Sequence, residues 1–594
     1  MAPLRPSNAL IILDAAEPSV GCRSFAQSSR GAVVNACPSG LVDEYLIKQS
    51  ELTAVAKFSQ LHDDVDHPLQ ETFYRDLLPI SPPASGQQYA FEVDLDKCTG
   101  CKGCVTACNS LNGLEPSESW RDVGLVHDTR GAGALQHVSS ACHHCLEPAC
   151  ASGCPVDAYA KDDATGIVKH LDDQCIGCQY CTLMCPYDVP KFSKSLGIVR
   201  KCDMCSDRLA EGEAPACVQS CPTEAIAIKV VDRAEVIQAS MEGFGVPGAP
   251  PSTITSPATT FKRSRGSLED MVPADFSEPQ KQHEHTPLIV MLTLTQVAVG
   301  VFGLDWMLQR LTGGNVASSN WWGPMAGLVI CVMALGASIF HLGRSIYAFR
   351  AILGLKHSWL SREILAFGLF AKVAGLTTLL ALWDAGTLPA WSWMRGMFDV
   401  LTSLRSEFEL LTVGLGVFGV YCSVMVYHVT RRIFWHGLRT GTKFFLTGAV
   451  GGAAVLMVAG LARATLFSAD APSLIWFWML QVVLVGSMSV KLGLEAAILW
   501  NLRGAPTSSL TRTARLHWEH MRGVCMARVG CGIFGGIVVP MAIYSALASG
   551  VMSVGTHACL AFVGLIAVLA GELLERYLFF TAVVALKMPG GIPG

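Results

Sequence analysis

Residues 98–108 read CTGCKGCVTAC, and residues 175–186 repeat the spacing as CIGCQYCTLMCP. Cys98, Cys101, Cys104 and Cys108 stand as C-x2-C-x2-C-x3-C, as do Cys175, Cys178, Cys181 and Cys185, with Pro186 closing the second run. Two related quartets accompany them. Cys142, Cys145, Cys150 and Cys154 form C-x2-C-x4-C-x3-C-P, while Cys202, Cys205, Cys217 and Cys221 form C-x2-C-x11-C-x3-C-P. A C-x2-C-x2-C run lets three thiolates converge on three irons of a cubane, and the cysteine past the turn reaches a partner cluster. Soft thiolates also suit zinc, but zinc ribbons use two separated C-x2-C pairs without a third ligand in register. Four quartets predict four [4Fe–4S] clusters on sixteen cysteines. A disulfide framework would need an export signal. The start, MAPLRPSNALIILDAAEPSV, has one Arg, a short apolar run and Asp14 in the candidate cleavage zone, and is expected not to be one.

Around these quartets the chain divides in two. It has 594 residues, 51% hydrophobic and 15% charged, with a mean hydropathy of +0.39. Residues 1–286 carry 23 Lys+Arg against 37 Asp+Glu, whereas residues 287–594 carry 21 against 11. An acidic half precedes a basic, apolar half. This excludes a wholly soluble or disordered protein and predicts a soluble domain fused to a membrane anchor. The boundaries follow as residues 1–87, an N-terminal extension; 88–245, the cluster domain; 246–286, a Pro/Ser/Thr-rich linker; and 287–594, the anchor. Cys22 and Cys37, in the extension, are read as plain thiols.

Eight apolar runs are expected at 287–303, 322–342, 363–383, 409–430, 443–462, 474–500, 527–548 and 556–583, each near the length that crosses a bilayer. The fold class is therefore an α+β ferredoxin-like domain with tandem [4Fe–4S] sites, followed by an all-α eight-helix transmembrane bundle. Loops 343–362, 431–443 and 501–526 carry four Lys or Arg each, against four in all the alternate loops together. That bias predicts the basic loops, both termini and the cluster domain on the cytoplasmic side of the inner membrane.

The quartets, with ACHHCLEPAC, QCIGCQYCTLMCPYDVPK and RKCDMCSDRL around them, resemble the four-cluster electron-transfer subunit of the dimethyl sulfoxide reductase family of molybdopterin oxidoreductases. The resemblance covers about residues 88–230 and implies that the first quartet pairs with the fourth, and the second with the third. The implied ligand sets are Cys98/Cys101/Cys104/Cys221, Cys202/Cys205/Cys217/Cys108, Cys142/Cys145/Cys150/Cys185 and Cys175/Cys178/Cys181/Cys154. Nitrate-reductase-like relatives carry tryptophan where this chain has Cys181, which argues against that branch. HLGRSIYAFRAILGLKHSWLSREI (341–364) and YHVTRRIFWHG (427–437) make the apolar half similar to the haem-free, quinol-binding eight-span anchor of the same reductase. The resemblance implies a separate molybdopterin catalytic subunit, lipid and the quinone pool as partners. It also implies a respiratory complex, of the dimethyl sulfoxide reductase or sulfite dehydrogenase kind. No nucleic acid is implied.

Within the anchor, His341 is the expected quinone-reactive residue, because an imidazole can exchange protons near neutral pH and HLGRS points to the same histidine. Arg344, one turn on, is expected to favour a quinol anion or to reach lipid headgroups. No histidine pair faces across the membrane interior, so no haem is expected. Lys491/Glu495 and Glu572/Arg576 are spaced for local ion pairs, and Lys372 is a candidate to line a wet cavity. A second function class, a redox-driven ion-translocating module, would use Lys372, Glu495 and Glu572 as a proton path.

Overall fold

The computed structural model describes residues 74–590 except 117, 129–133, 244, 266–267, 269, 277–278, 313–320, 389–391, 468–472, 506–507, 551–552 and 585–586. The expectations for Cys22, Cys37 and most of the extension lie outside these residues. The cluster domain begins with β1 (Gln87–Asp94) and α1 (Gly103–Asn112), followed by β2 (Asp122–Asp128) and β3 (Leu135–Ser140). Then come α2 (Ala149–Gly153), β4 (Tyr159–Lys161), β5 (Val168–His170), α3 (Tyr180–Met184), β6 (Lys191–Ser193) and β7 (Ile198–Arg200). It ends in α4 (Ser206–Ala210), α5 (Ala216–Gln219), β8 (Ile226–Asp232) and α6 (Arg233–Glu242).

Each quartet is fixed by the same local device: a loop carrying the first cysteines runs into a helix one to three turns long. Lys102 and Gln179 enter α1 and α3 with φ of 59° and 58°. That left-handed step turns the chain so that Cys104 and Cys181 face back towards the loop. The long strands β1 and β8 pair antiparallel, Phe91 opposite Ile228, and bury one face over the first and fourth quartets.

The expected linker at 246–286 is corrected in part. β9 (Thr260–Lys262) pairs parallel with β1, and β10 (Met271–Pro273) pairs antiparallel with β2. Three-residue strands carry too little apolar pattern to stand out from Pro/Ser/Thr-rich sequence, and the sheet edges supply their hydrogen bonds. The segment thus completes the domain as well as leading to the membrane.

Among the described residues, eight helices are long and apolar enough to cross a membrane: Thr286–Leu311, Trp322–Ile339, Trp359–Asp384, Arg405–His428, Gly437–Leu466, Leu474–Arg503, Arg522–Ser549 and Val554–Thr581. They are the first to eighth spans below. Several outlast the expected apolar runs because polar residues at their ends stay helical. The first span, for example, carries Asp305 buried within it, accepting from Gln309 at 2.7 Å. After the eighth span the chain returns to the domain. Met588 joins the core around Val93 and Val126, and Leu125 donates to the Gly590 carbonyl at 3.0 Å.

The domain sits against the basic-loop side of the bundle. Between the second and third spans, a 3₁₀ segment (Ser345–Lys356) lies along the domain. Arg350 donates to the Asp173 carbonyl at 2.8 Å, and Ser358 to the Gly153 carbonyl at 2.7 Å. Tyr180 of α3 is buried in the bundle core, its hydroxyl donating to the Val426 carbonyl at 2.7 Å.

Candidate functional site: a cysteine chain ending at a membrane cavity

The sixteen cysteines gather into four groups. The sulfur of Cys98 faces those of Cys101, Cys104 and Cys221. Cys108 faces Cys205 and Cys217, and Cys202 faces Cys108 and Cys217. Cys145 faces Cys142, Cys150 and Cys185, whereas Cys181 faces Cys154, Cys175 and Cys178. Each group joins cysteines of two quartets. Neighbouring groups also see one another: Cys104 faces Cys217, and Cys202 faces Cys142. The first group has Cys101 exposed, and the last has Cys178 against the membrane bundle.

Burial pushes the Cys108 thiol up to about 12 and the Cys185 thiol up to about 11. Thiolates at such positions need cationic partners, which bound iron supplies. Among the described residues, no three His, Cys, Asp or Glu side chains close on a single ion. A polynuclear group is wider and suits a looser spread. Two buried cations stand between groups. Arg121 faces Cys104, Cys108, Cys202 and Cys217, and Lys201 donates to Cys142 Sγ at 3.5 Å.

The last group opens on a cavity of about 280 Å³ between the domain and the first four spans. Leu288, Met291, Leu335 and Phe367 give it an apolar wall, while His341, His285, Glu363 and Tyr427 supply polar groups. His341 Nε2 lies 3.2 Å from the Cys178 carbonyl oxygen. Glu363 is buried and accepts from the Ser423 hydroxyl. An apolar cleft with a few convergent polar groups is the usual form of a cofactor site.

His341 lines this cavity beside the cysteines. Arg344 does not. Its Nη1 donates to the Asp172 carbonyl at 2.9 Å and its backbone N–H to the Ile176 carbonyl at 3.0 Å, so it fastens bundle to domain outside the cavity lining. The Asp172 carbonyl of the docked domain takes that guanidinium, and helical spacing from His341 takes no account of a docked domain. His428 sits elsewhere, in a wider cavity of about 890 Å³ with Arg431 and His436. Glu363, Tyr427 and His285 do not stand out in the sequence as members of the site. Glu363 carries a signal, being a carboxylate at the head of an apolar run.

The charged residues of the bundle also pair differently from the expectation. Lys491 meets Glu572 of the eighth span and lies 3.7 Å from Glu575, rather than pairing locally with Glu495. Arg528 of the seventh span bridges Glu495 at 3.0 Å and Glu572 at 3.1 Å. Lys443 holds Glu575 at 3.1 Å, and Arg576 donates to Gln296 at 2.8 Å. Pairing across helices leaves each charge buried among others, whereas pairs along one helix would leave them facing lipid. Lys372 is exposed on the third span and absent from the cavity lining, against the expectation of a wet cavity there.

A cysteine-quartet domain docked on an eight-helix bundle defines a membrane-anchored iron–sulfur protein. Residues 134–231 match the 4Fe-4S dicluster domain, and residues 281–582 match the DMSO reductase anchor subunit (DmsC). The B subunit of the anaerobic dimethyl sulfoxide reductase of Escherichia coli K12 is 40% identical over 157 residues, 24% of this protein and 75% of that subunit. Its Haemophilus influenzae counterpart is 33% identical over 192 residues, 30% of this protein and 91% of its own length. The thiosulfate reductase electron transfer subunit PhsB of Salmonella typhi is 37% identical over 153 residues, 25% of this protein and 79% of its own length. The protein belongs to the dimethyl sulfoxide reductase anchor family, with the iron–sulfur subunit and the anchor fused in one polypeptide.

Proposed function

We propose that this protein passes electrons between quinone in the cavity at His341 and a separate molybdopterin catalytic subunit, through four [4Fe–4S] clusters. The ligand sets are Cys98/Cys101/Cys104/Cys221, Cys202/Cys205/Cys217/Cys108, Cys142/Cys145/Cys150/Cys185 and Cys175/Cys178/Cys181/Cys154. The clusters supply one-electron transfer. The observation that carries the proposal is the contact of His341 with the Cys178 carbonyl, which sets the cavity directly against the last group. His341 and Glu363 would hydrogen-bond a quinone in this cavity, and the apolar wall would hold its ring. At the other end, exposed Cys101 marks the face turned to the catalytic partner.

The anaerobically purified full-length protein should hold about sixteen irons, four per cubane. His341→Ala and Glu363→Gln should each lose quinol-driven bleaching of the iron–sulfur absorbance and keep full bleaching by dithionite. Stoichiometric zinc with little iron would end the cluster assignment. Quinol turnover unchanged in both variants would end the quinone assignment.

The domain lies on the side of the twelve basic loop residues, which supports a cytoplasmic, inner-membrane orientation. A cysteine placed at exposed Glu242 (Glu242→Cys) should resist a membrane-impermeant maleimide in intact cells and react after permeabilisation. Labelling of intact cells would put the domain outside.

A further inference from the structure

One wall of the His341 cavity leads to the surface through imidazoles. His285 stands at the N-cap of the first span and lines the cavity. Its ring centroid is 5.4 Å from that of His341 on one side and 5.2 Å from that of His283 on the other. His283 is exposed, and His285 is partly buried. A line of side chains thus runs from the cavity, through His285, to water.

We infer that His285 and His283 form a proton relay between the cavity and the aqueous phase on the side of the iron–sulfur domain. This rests on the quinone assignment above. Oxidation of a quinol breaks two O–H bonds and releases two electrons and two protons. The electrons go to the clusters, and the protons need acceptors within the cavity. His285 is one, because it borders the cavity itself and each imidazole can accept on one nitrogen while donating from the other. Quinone reduction would run the same relay inwards.

The surroundings favour passage over storage. Arg432, from the loop after the fourth span, acts on His285 together with His341 and His283, while Phe580 of the eighth span packs 6.1 Å from its ring. Glu284, next in the chain, is engaged with the Tyr577 hydroxyl. Across the cavity lie Glu363 and Tyr180. Burial, with Arg432 nearby, pushes His285 down to about 4, so a proton arriving there does not stay. On the opposite wall, Tyr180 separates this cavity from the wider one, and its hydroxyl is committed to the Val426 carbonyl.

The test uses the full-length protein with its clusters, a short-chain quinol in stopped flow, and a fluorescent quinone-site inhibitor to measure binding. His285→Phe should slow quinol-driven bleaching by about 100-fold at saturating quinol and recover when free imidazole is added. His283→Gln should slow it less, since water reaches that position. Full speed in His285→Phe would overturn the relay. Slow bleaching with weakened inhibitor binding and no imidazole rescue would also overturn it, as a packing role. If the unaltered protein bound no inhibitor and took no electrons from quinol, the quinone assignment itself would fall, and the relay with it.

Discussion

Gly343→Val should abolish quinol-driven reduction of the clusters while leaving their content and dithionite reduction intact. Gly343 is the glycine of HLGRS, and it meets the last cysteine group backbone to backbone. Its N–H lies 3.4 Å from the Gly177 carbonyl. A Cβ there would fall 2.1 Å from the Gly197 carbonyl oxygen and 2.9 Å from Gly197 Cα. The joint has no slack on the facing side either, since a Cβ at Gly177 would fall 2.2 Å from the Gly197 carbonyl oxygen and 2.9 Å from Gly343 Cα. The added side chain must therefore part the Cys175–Cys178 loop from the bundle. A displacement of about 1 Å in reacting partners can cost about 100-fold in rate, and the His341–Cys178 contact would go with it. Gly336→Val, on the second span with open space at its Cβ, serves as the control and should leave quinol turnover unchanged. Normal turnover in Gly343→Val would mean that electrons do not cross at this joint.

The same joint explains what the sequence reveals and what it conceals. Cysteine spacing is a one-dimensional signal, because cubane ligation forces thiolates into register along a short loop. Eight apolar runs are another, because bilayer thickness sets their length. Both are legible, and the observed spans differ from the expected ones chiefly at polar ends that remain helical. His341 stands in a motif that is visible in the sequence. Arg344 is misread because its partner, the Asp172 carbonyl, lies 172 positions away and is brought near only by domain docking. Glu363 and His285 escape notice for a related reason. Each looks like an ordinary helix-end polar residue until four spans and α3 close a cavity around it. β9 and β10 are hidden in a Pro/Ser/Thr-rich stretch, because strands of three residues are defined by the edges they join.

The buried charges of the second half of the bundle are the most costly feature to disturb. Lys491, Glu572, Glu575 and Arg576 are all nearly inaccessible to solvent, and Arg528 is 1% exposed. Glu572 receives both Lys491 and Arg528. Glu572→Gln removes the charge with little change of shape and leaves two buried cations sharing fewer carboxylates. Breaking a buried pair from one side costs about 3–5 kcal/mol, because the remaining charge stays desolvated and uncompensated. The thermal midpoint of the detergent-solubilised protein should fall accordingly. Lys491→Met alone should also destabilise, since it leaves Glu572 and Glu575 with fewer cations. The double variant Glu572→Gln/Lys491→Met should recover much of the loss, because cation and anion leave together. Cluster content should be unchanged in all three, as the charges of the network come from the fifth to eighth spans and the cysteine groups from the domain. A proton path through these residues would instead predict loss of quinol-linked proton movement in Glu572→Gln even where the fold survives. Additive losses in the double variant would refute the direct pairing of Lys491 with Glu572, and an unshifted midpoint in Glu572→Gln would mean that the network does not hold the bundle together.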